Sequence, residues 1–236
     1  MKKFCATLLL TLCCVFAGGT TAYAEPSAKV KSLMANAEKG SAGAQFWLGF
    51  YYEKGRHGLP QNYQEAKKWY EKAAKQGSDI AQTLLGDLYY FGNGVQQDYQ
   101  QAKIWYEKSA KQNDAYAQFA LGKLYDFGEG VRQDYKKAKE WYEKSARQGN
   151  DDAQLNLGIL YAKGQGVRQD YKKAVEWFKK AAAQDNSSAQ FNLGICYENG
   201  YGVRQNLSEA KEWYGKACDN GNQSGCDAYA RLNRGR

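Results

Sequence analysis

The chain has a single histidine in 236 residues, His57, which excludes a multi-histidine metal site at the outset. It also lacks a long apolar run. The stretch from Phe4 to Phe16 is shorter than the roughly 20 apolar residues a bilayer-crossing helix needs, and no later segment approaches that length. Cysteine is scarce past residue 24, where only Cys196, Cys218 and Cys226 remain. An odd number in an oxidising compartment means one bridge and one leftover thiol. Charge of one sign is not dominant either. The formal net charge is +8, and acids are interleaved with the bases, as where Lys67 and Lys68 sit between Glu65 and Glu71. That pattern reads as solvated helix faces with i,i+4 pairing and gives no footprint for nucleic acid.

The first residues carry an address. Met1-Lys2-Lys3 is basic, the following stretch is apolar, and Ala22-Tyr23-Ala24 closes it with small residues at the cleavage spacing. This is the layout of a secretory signal cut before Glu25. The mature chain is thus expected in a bacterial periplasm or outside the cell. Leu12 stands where lipid attachment at Cys13 would need a small residue, so no lipid anchor is expected. Removing residues 1–24 takes away two lysines and no acid, leaving +6.

What the chain has in abundance is repetition. Trp69, Trp105, Trp141, Trp177 and Trp213 lie 36 residues apart, and Gln82, Gln118, Gln154 and Gln190 and Gly86, Gly122, Gly158 and Gly194 keep the same step. A period of this size marks a stacked array. Within a unit the apolar spacing is helical: Ala81, Leu85, Leu88 and Tyr89 share one face, and Tyr99, Ala102, Tyr106 and Ala110 another. Asp98, Asp134 and Asp170 are placed as N-caps, and Asn62 with Glu65 and Asn206 with Glu209 have capping-box spacing. Gly77, Gly149 and Gly221, with Asn113 in one copy, end the second helices. The G-x-G turns from Gly92/Gly94 to Gly200/Gly202 separate the two helices of each hairpin. The expected fold is all-α, a right-handed α-solenoid of about five helix–turn–helix repeats. It would comprise an N-terminal capping helix in 25–42, repeats over 43–222, and a C-terminal capping helix and tail in 223–236. Repeat one carries one extra residue in its turn, around Gly55-Arg56-His57-Gly58-Leu59-Pro60.

In copy three the pattern is Ala117-Gln118, Leu121-Gly122, Tyr125, Gly128, Gly130-Val131, Asp134-Tyr135, Ala138 and Trp141-Tyr142. It resembles the Sel1-like repeat, a relative of the tetratricopeptide repeat, over about residues 40 to 222. The resemblance implies a scaffold that binds a protein or peptide on its concave side, which first helices line in related solenoids. The spacing of Cys218 and Cys226 is similar to that of secreted cysteine-rich members, which implies that these two form the bridge, although such members carry a pair in each repeat. Cys196 takes the slot of Leu88, Leu124 and Leu160 and is expected as a buried free thiol.

The fixed Trp and Tyr positions are read as packing between units. Recognition is sought where copies differ. Counted from the glutamine, the variable slots −2, +2, +5 and +9 form one stripe of the first helix. Copy one places Gly43, Trp47, Phe50 and Lys54 there, copy two Ile80, Leu84, Asp87 and Phe91, and copy three Tyr116, Ala120, Lys123 and Phe127. Copies four and five turn mixed, with Asp152, Asn156, Ile159 and Lys163, then Ser188, Asn192, Ile195 and Asn199, a more polar face than that of the first three. The expected binding residues are therefore Trp47, Phe50, Ile80, Leu84, Phe91, Tyr116 and Phe127. Arg132, Arg168 and Arg204 recur after the turn and form a secondary edge toward an anionic envelope component. A Ser-x-x-Lys string, Ser208 to Lys211, lacks the accompanying S-D-N and K-T-G strings of β-lactam enzymes. The G-x-G turns lack the third glycine and the preceding strand of a nucleotide site. The chain is read as a monomeric non-enzyme with no catalytic residue, metal or cofactor. The alternative is an envelope enzyme of the β-lactam-binding or β-lactam-hydrolysing type credited to the cysteine-rich relatives.

Overall fold

A computed structural model describes residues 27–234; the leader read at 1–24 lies outside the described residues. Among these, twelve α-helices and no strand are found. α1 (Ala28–Glu38) precedes five hairpins: α2 (Ala42–Lys54) with α3 (Tyr63–Lys75), α4 (Asp79–Phe91) with α5 (Tyr99–Ala110), α6 (Ala115–Phe127) with α7 (Tyr135–Arg147), α8 (Asp151–Lys163) with α9 (Tyr171–Ala182), and α10 (Ser187–Asn199) with α11 (Leu207–Asp219). α12 (Gln223–Asn233) follows. Each helix packs chiefly on the next one in sequence, which makes the molecule an all-α solenoid.

Local chemistry sets the breaks. Asp98 Oδ1 accepts from the backbone N–H groups of Gln100 (2.9 Å) and Gln101 (3.0 Å), and Asn62, Asp134, Asp170 and Asn206 cap the other second helices in the same way. These contacts satisfy backbone donors that the first helical turn leaves without partners. First helices end on a left-handed glycine, Gly92 with φ 72° for example. Second helices end on Gly77, Gly149 and Gly221, and on Asn113 (φ 69°) and Asp185 (φ 61°). Asp185 was not anticipated; Asn and Asp are the non-glycine residues that tolerate this region best.

The 36-residue recurrences have physical causes. A Cβ on Gly86, Gly122 or Gly194 would lie 2.4 Å from a ring atom of Tyr106, Tyr142 or Tyr214, so glycine is the residue that lets the second helix lay its tyrosine flat on the first. With Tyr70, which sits on Gly49 in the same way, those tyrosines are the deepest aromatic residues of the core. The glutamines form a ladder through the interior. Gln45 Nε2 donates to the Ala37 carbonyl (3.0 Å) and Gln82 Nε2 to that of Ala74 (3.1 Å). Their Oε1 atoms accept in turn from Gln76 (2.7 Å) and Gln112 (2.9 Å), just past the second helix of the same hairpin. Gln154 and Gln190 repeat the arrangement, and Gln118 donates to Asn113 Oδ1 instead. Each buried glutamine thus has its own donor and acceptor satisfied, the donor by the segment before its helix and the acceptor by an amide at the end of its hairpin.

The tryptophans do lie against the core of the preceding unit, Trp105 on the cluster holding Tyr70 and Leu85, and Trp141 on that holding Tyr106 and Leu121. They are less central than expected. Trp69 is buried, whereas Trp105, Trp141, Trp177 and Trp213 are half-buried and each carries a lysine ammonium over its ring, Lys144 at 4.0 Å from the Trp141 centroid. The indole seals the seam and the lysine stem covers the indole.

The C-terminal end is pinned twice. Cys218 and Cys226 are bonded, and Arg231 of α12 pairs with Glu198 at 2.6 Å. Cys196 is free and buried in the leucine slot, and burial pushes its thiol up to about 11.

Candidate protein-interaction surface

The first helices carry the variable stripe outward. Trp47 (48% exposed), Ile80 (50%), Phe91 (57%), Tyr116 (43%) and Phe127 (61%) all stand in solvent. Phe50 and Leu84, expected among them, are half-buried and pack on the core cluster around Tyr70 and Leu85. Trp47 meets Phe50 edge-on at 5.7 Å and lines a 430 Å³ cleft with Leu33, Asn36 and Tyr51 at the N-terminal end. Phe91 meets Tyr90 edge-on at 4.8 Å. On α8 and α10 the same stripe is polar apart from the half-buried Ile159 and Ile195, and Asn156, Asn192 and Asn199 turn their Nδ2 groups back onto carbonyls of their own helices at 2.9 to 3.0 Å.

Charges set within the apolar stretch were not singled out from sequence. Asp87 on α4 accepts from Tyr106 Oη at 2.7 Å, and the Tyr116 hydroxyl of α6 is also directed at it. Burial pushes its carboxyl up to about 6, with the Glu53 charge adding to the shift; the two tyrosines and Lys123 pull the other way. Burial likewise raises Asp152 on α8, where Lys123 again acts in the opposite direction. Lys123 itself lies over the Tyr90 ring (4.9 Å) and the Phe119 ring (5.9 Å). The slots of all three were visible in the repeat pattern, but the approach of Lys123 to acids on both neighbouring hairpins was not.

A related set of contacts underlies the buried tyrosines. Tyr70 donates to Glu53 (2.7 Å), Tyr142 to Asp126 (3.0 Å) and Tyr214 to Glu198 (2.6 Å), three carboxylates in one slot of the first helix. Repeat four holds Phe178 in place of tyrosine and Ala162 in place of the acid, so donor and acceptor are lost together.

Arg132, Arg168 and Arg204 are exposed and border shallow clefts of 700, 730 and 570 Å³. The first two clefts share equivalent walls, Lys103, Tyr125 and Lys137 in one and Lys139, Tyr161 and Lys173 in the other. The Ser-x-x-Lys string does not assemble into a site. The Ser208 backbone N–H donates to the Asn206 cap (3.0 Å), while Lys211 reaches over the Tyr229 ring (5.6 Å). His57 is an exposed turn residue with φ 58° resting on Tyr51. Among the described residues no three His, Cys, Asp or Glu side chains converge to hold a metal, and no helix is long and apolar enough to cross a membrane.

A hairpin solenoid with an exposed aromatic stripe belongs to the class of repeat scaffolds. Comparison with known proteins makes the class specific. The Sel1 repeat family matches at residues 42–78, 79–114, 115–150, 151–186 and 187–222, and the chain belongs to that family. It is similar to a Sel1 repeat protein of Oxalobacter formigenes, with 34% identity and a TM-score of 0.80 over 85% of this chain and 79% of that one. It is also similar to c5321, a protective antigen of uropathogenic Escherichia coli with an SLR fold, at 30% identity and a TM-score of 0.69 over 83% of this chain and 50% of that one. Over 58 residues, 25% of this chain, it is 36% identical to the Arabidopsis thaliana ERAD-associated ubiquitin ligase component HRD3A. It spans only 9% of that protein's length. Proteins built of Sel1 repeats are typically non-enzymatic interaction scaffolds.

Proposed function

We propose that this chain is an exported, monomeric scaffold that holds a protein or peptide segment along the stripe of its first helices, with the anchoring end over α2, α4 and α6. One observation carries the reading: five bulky apolar side chains, Trp47, Ile80, Phe91, Tyr116 and Phe127, are left in solvent on equivalent faces of three successive first helices. Exposed apolar surface of this kind costs solubility and marks interaction sites, and aromatic anchors carry most of the energy where they become desolvated. Export is supported by the leader pattern in the sequence and by the Cys218–Cys226 bridge, since such bridges persist in oxidising compartments.

The test begins with capture from an envelope extract, followed by titration of the identified partner. Trp47→Ala and Phe91→Ala should each weaken binding by about 2 kcal/mol or more with circular dichroism unchanged. Replacing Arg132 and Arg168 should mainly alter salt dependence, because exposed charges are screened. Unchanged affinity in the aromatic variants together with loss in the arginine variants would move the site to the basic clefts. The β-lactam reading is separately checked by nitrocefin turnover, which a scaffold does not support.

A further inference from the structure

The stripe over α4 and α6 is not uniformly apolar, and its charges do not balance. Asp87 on α4 accepts from Tyr106 Oη at 2.7 Å and Asp152 on α8 from Asn186 Nδ2 at 3.2 Å, while Lys123 on α6 lies over the Tyr90 ring at 4.9 Å. The Lys123 ammonium offsets part of the charge at both carboxylates, and Asp151 adds to that at Asp152. Glu53 on α2 adds further negative potential at Asp87, and Tyr106 and Tyr116 supply hydroxyls but no charge. Ile80, Phe91, Tyr116 and Phe127 stand exposed along the same stretch. Resting on the reading above, we propose that the segment bound there carries a lysine or arginine between bulky apolar side chains, its cation set against Asp87 and Asp152 and its neighbours on Phe91 and Phe127.

Several features make this more than a count of acids. Accepting from the buried tyrosine does not require a carboxylate on the stripe, because repeats one, three and five supply it from another slot, Glu53, Asp126 and Glu198. Repeat four omits the pair altogether through Phe178 and Ala162. Only in repeat two is the acceptor displaced onto the variable stripe, into the midst of the exposed apolar residues. A carboxylate held there is partly stripped of water, and its charge costs free energy until a cation meets it. Lys123 cannot serve both acids fully while it rests on the rings of Tyr90 and Phe119. A lysine or arginine from the partner completes the pairing, and its aliphatic stem lies on the adjacent aromatic surface as such side chains do.

The test is selection of a phage-displayed random dodecapeptide library on the purified full chain, then titration of the resynthesised best binder. Selected sequences should place Lys or Arg between aromatic or branched aliphatic residues. Exchanging that cation for norleucine should weaken binding to the natural chain roughly tenfold or more, the scale of one charge-assisted hydrogen bond. On a D87N/D152N chain whose circular dichroism spectrum matches that of the natural chain, the same exchange should cost less than about threefold. Asp152 is exposed, so D152N alone keeps the test valid if the double variant folds poorly, and should then reduce the penalty without abolishing it. Selection of apolar peptides without a cation, which lose binding to an F91A/F127A chain, would overturn this inference and leave the stripe reading standing. So would a norleucine penalty identical in the natural and Asn-substituted chains. Peptides that bind the F91A/F127A chain undiminished, or no selectable binder at all, would overturn the stripe reading and this inference with it.

Discussion

Repeats one to three and repeats four and five share an interior and differ on their face. A buried glutamine accepts from an amide at the end of its own hairpin in every unit from Gln45 to Gln190, and the same glycine-on-aromatic contact recurs in all five units. On the stripe, however, the first three units expose Trp47, Ile80, Phe91, Tyr116 and Phe127, while the last two place Asp152, Asn156, Ser188, Asn192 and Asn199 at the equivalent slots. A stacked array permits this division because each unit is stabilised through its seams with its neighbours. Residues off the seam can vary from copy to copy without disturbing the stack, so variation there reports on something other than folding.

The sharpest way to break this comparison is to strike the shared interior. Tyr142→Ala should cost about 3–5 kcal/mol, as large-to-small changes at fully buried aromatics do. The adjacent Trp141→Ala should cost only about 1–2 kcal/mol because its ring packs at the edge of the core, partly open to solvent and partly under the Lys144 stem. Urea melts of the two variants check the order, and a larger loss from Trp141 would reverse the roles assigned to the neighbours.

Second in size is the staple. Cys218→Ser should remove about 2.5 kcal/mol in the chain-entropy treatment of so short a loop, and the loss should be confined to α12 and the end of α11. Hydrogen exchange resolved by residue distinguishes this from a general loosening that reaches repeat three.

The third prediction uses repeat four, where the tyrosine–carboxylate pair is missing. Phe178→Tyr should destabilise by about 1–2 kcal/mol, since its hydroxyl enters a site without an acceptor. Adding Ala162→Glu should recover most of that loss, and the coupling in a double-mutant cycle measures it. Additive effects would mean that the contacts seen in the other repeats contribute nothing to stability.

The smallest effect concerns pH. The folded pKa of Asp87, about 6, lies above its ordinary value of 3.8, so folding favours its protonated form. The resulting stability is fully present below the ordinary value and is lost as pH rises through about 6. Asp87→Asn should therefore flatten the melting profile between about pH 4 and 6 and raise stability at pH 7 by roughly 1 kcal/mol, after allowance for the group's partial exposure. Asp126 and Asp152 shift in the same direction and Glu198, paired with Arg231, in the opposite one. The natural background must hold these constant. A pH profile in the Asn variant equal to that of the natural chain would remove Asp87 from the account.

Sequence alone determined the architecture, because a 36-residue period with helical apolar spacing and polar caps at both helix starts and ends admits little besides stacked hairpins. It also placed the free thiol at Cys196, whose slot is leucine in three other copies, and selected a stripe on which five of seven named residues are exposed. Tertiary structure decided what depends on approach between units. It turned Phe50 and Leu84 inward, made the tyrosines rather than the tryptophans the deepest aromatics, and brought Lys123 within electrostatic reach of Asp87 on the preceding hairpin and Asp152 on the following one. The physical reason is one of range. Caps, turns and periodicity are settled within a few residues along the chain, whereas burial, charge balance and ring stacking are settled by neighbours about 30 residues away, whose distance no spacing pattern records.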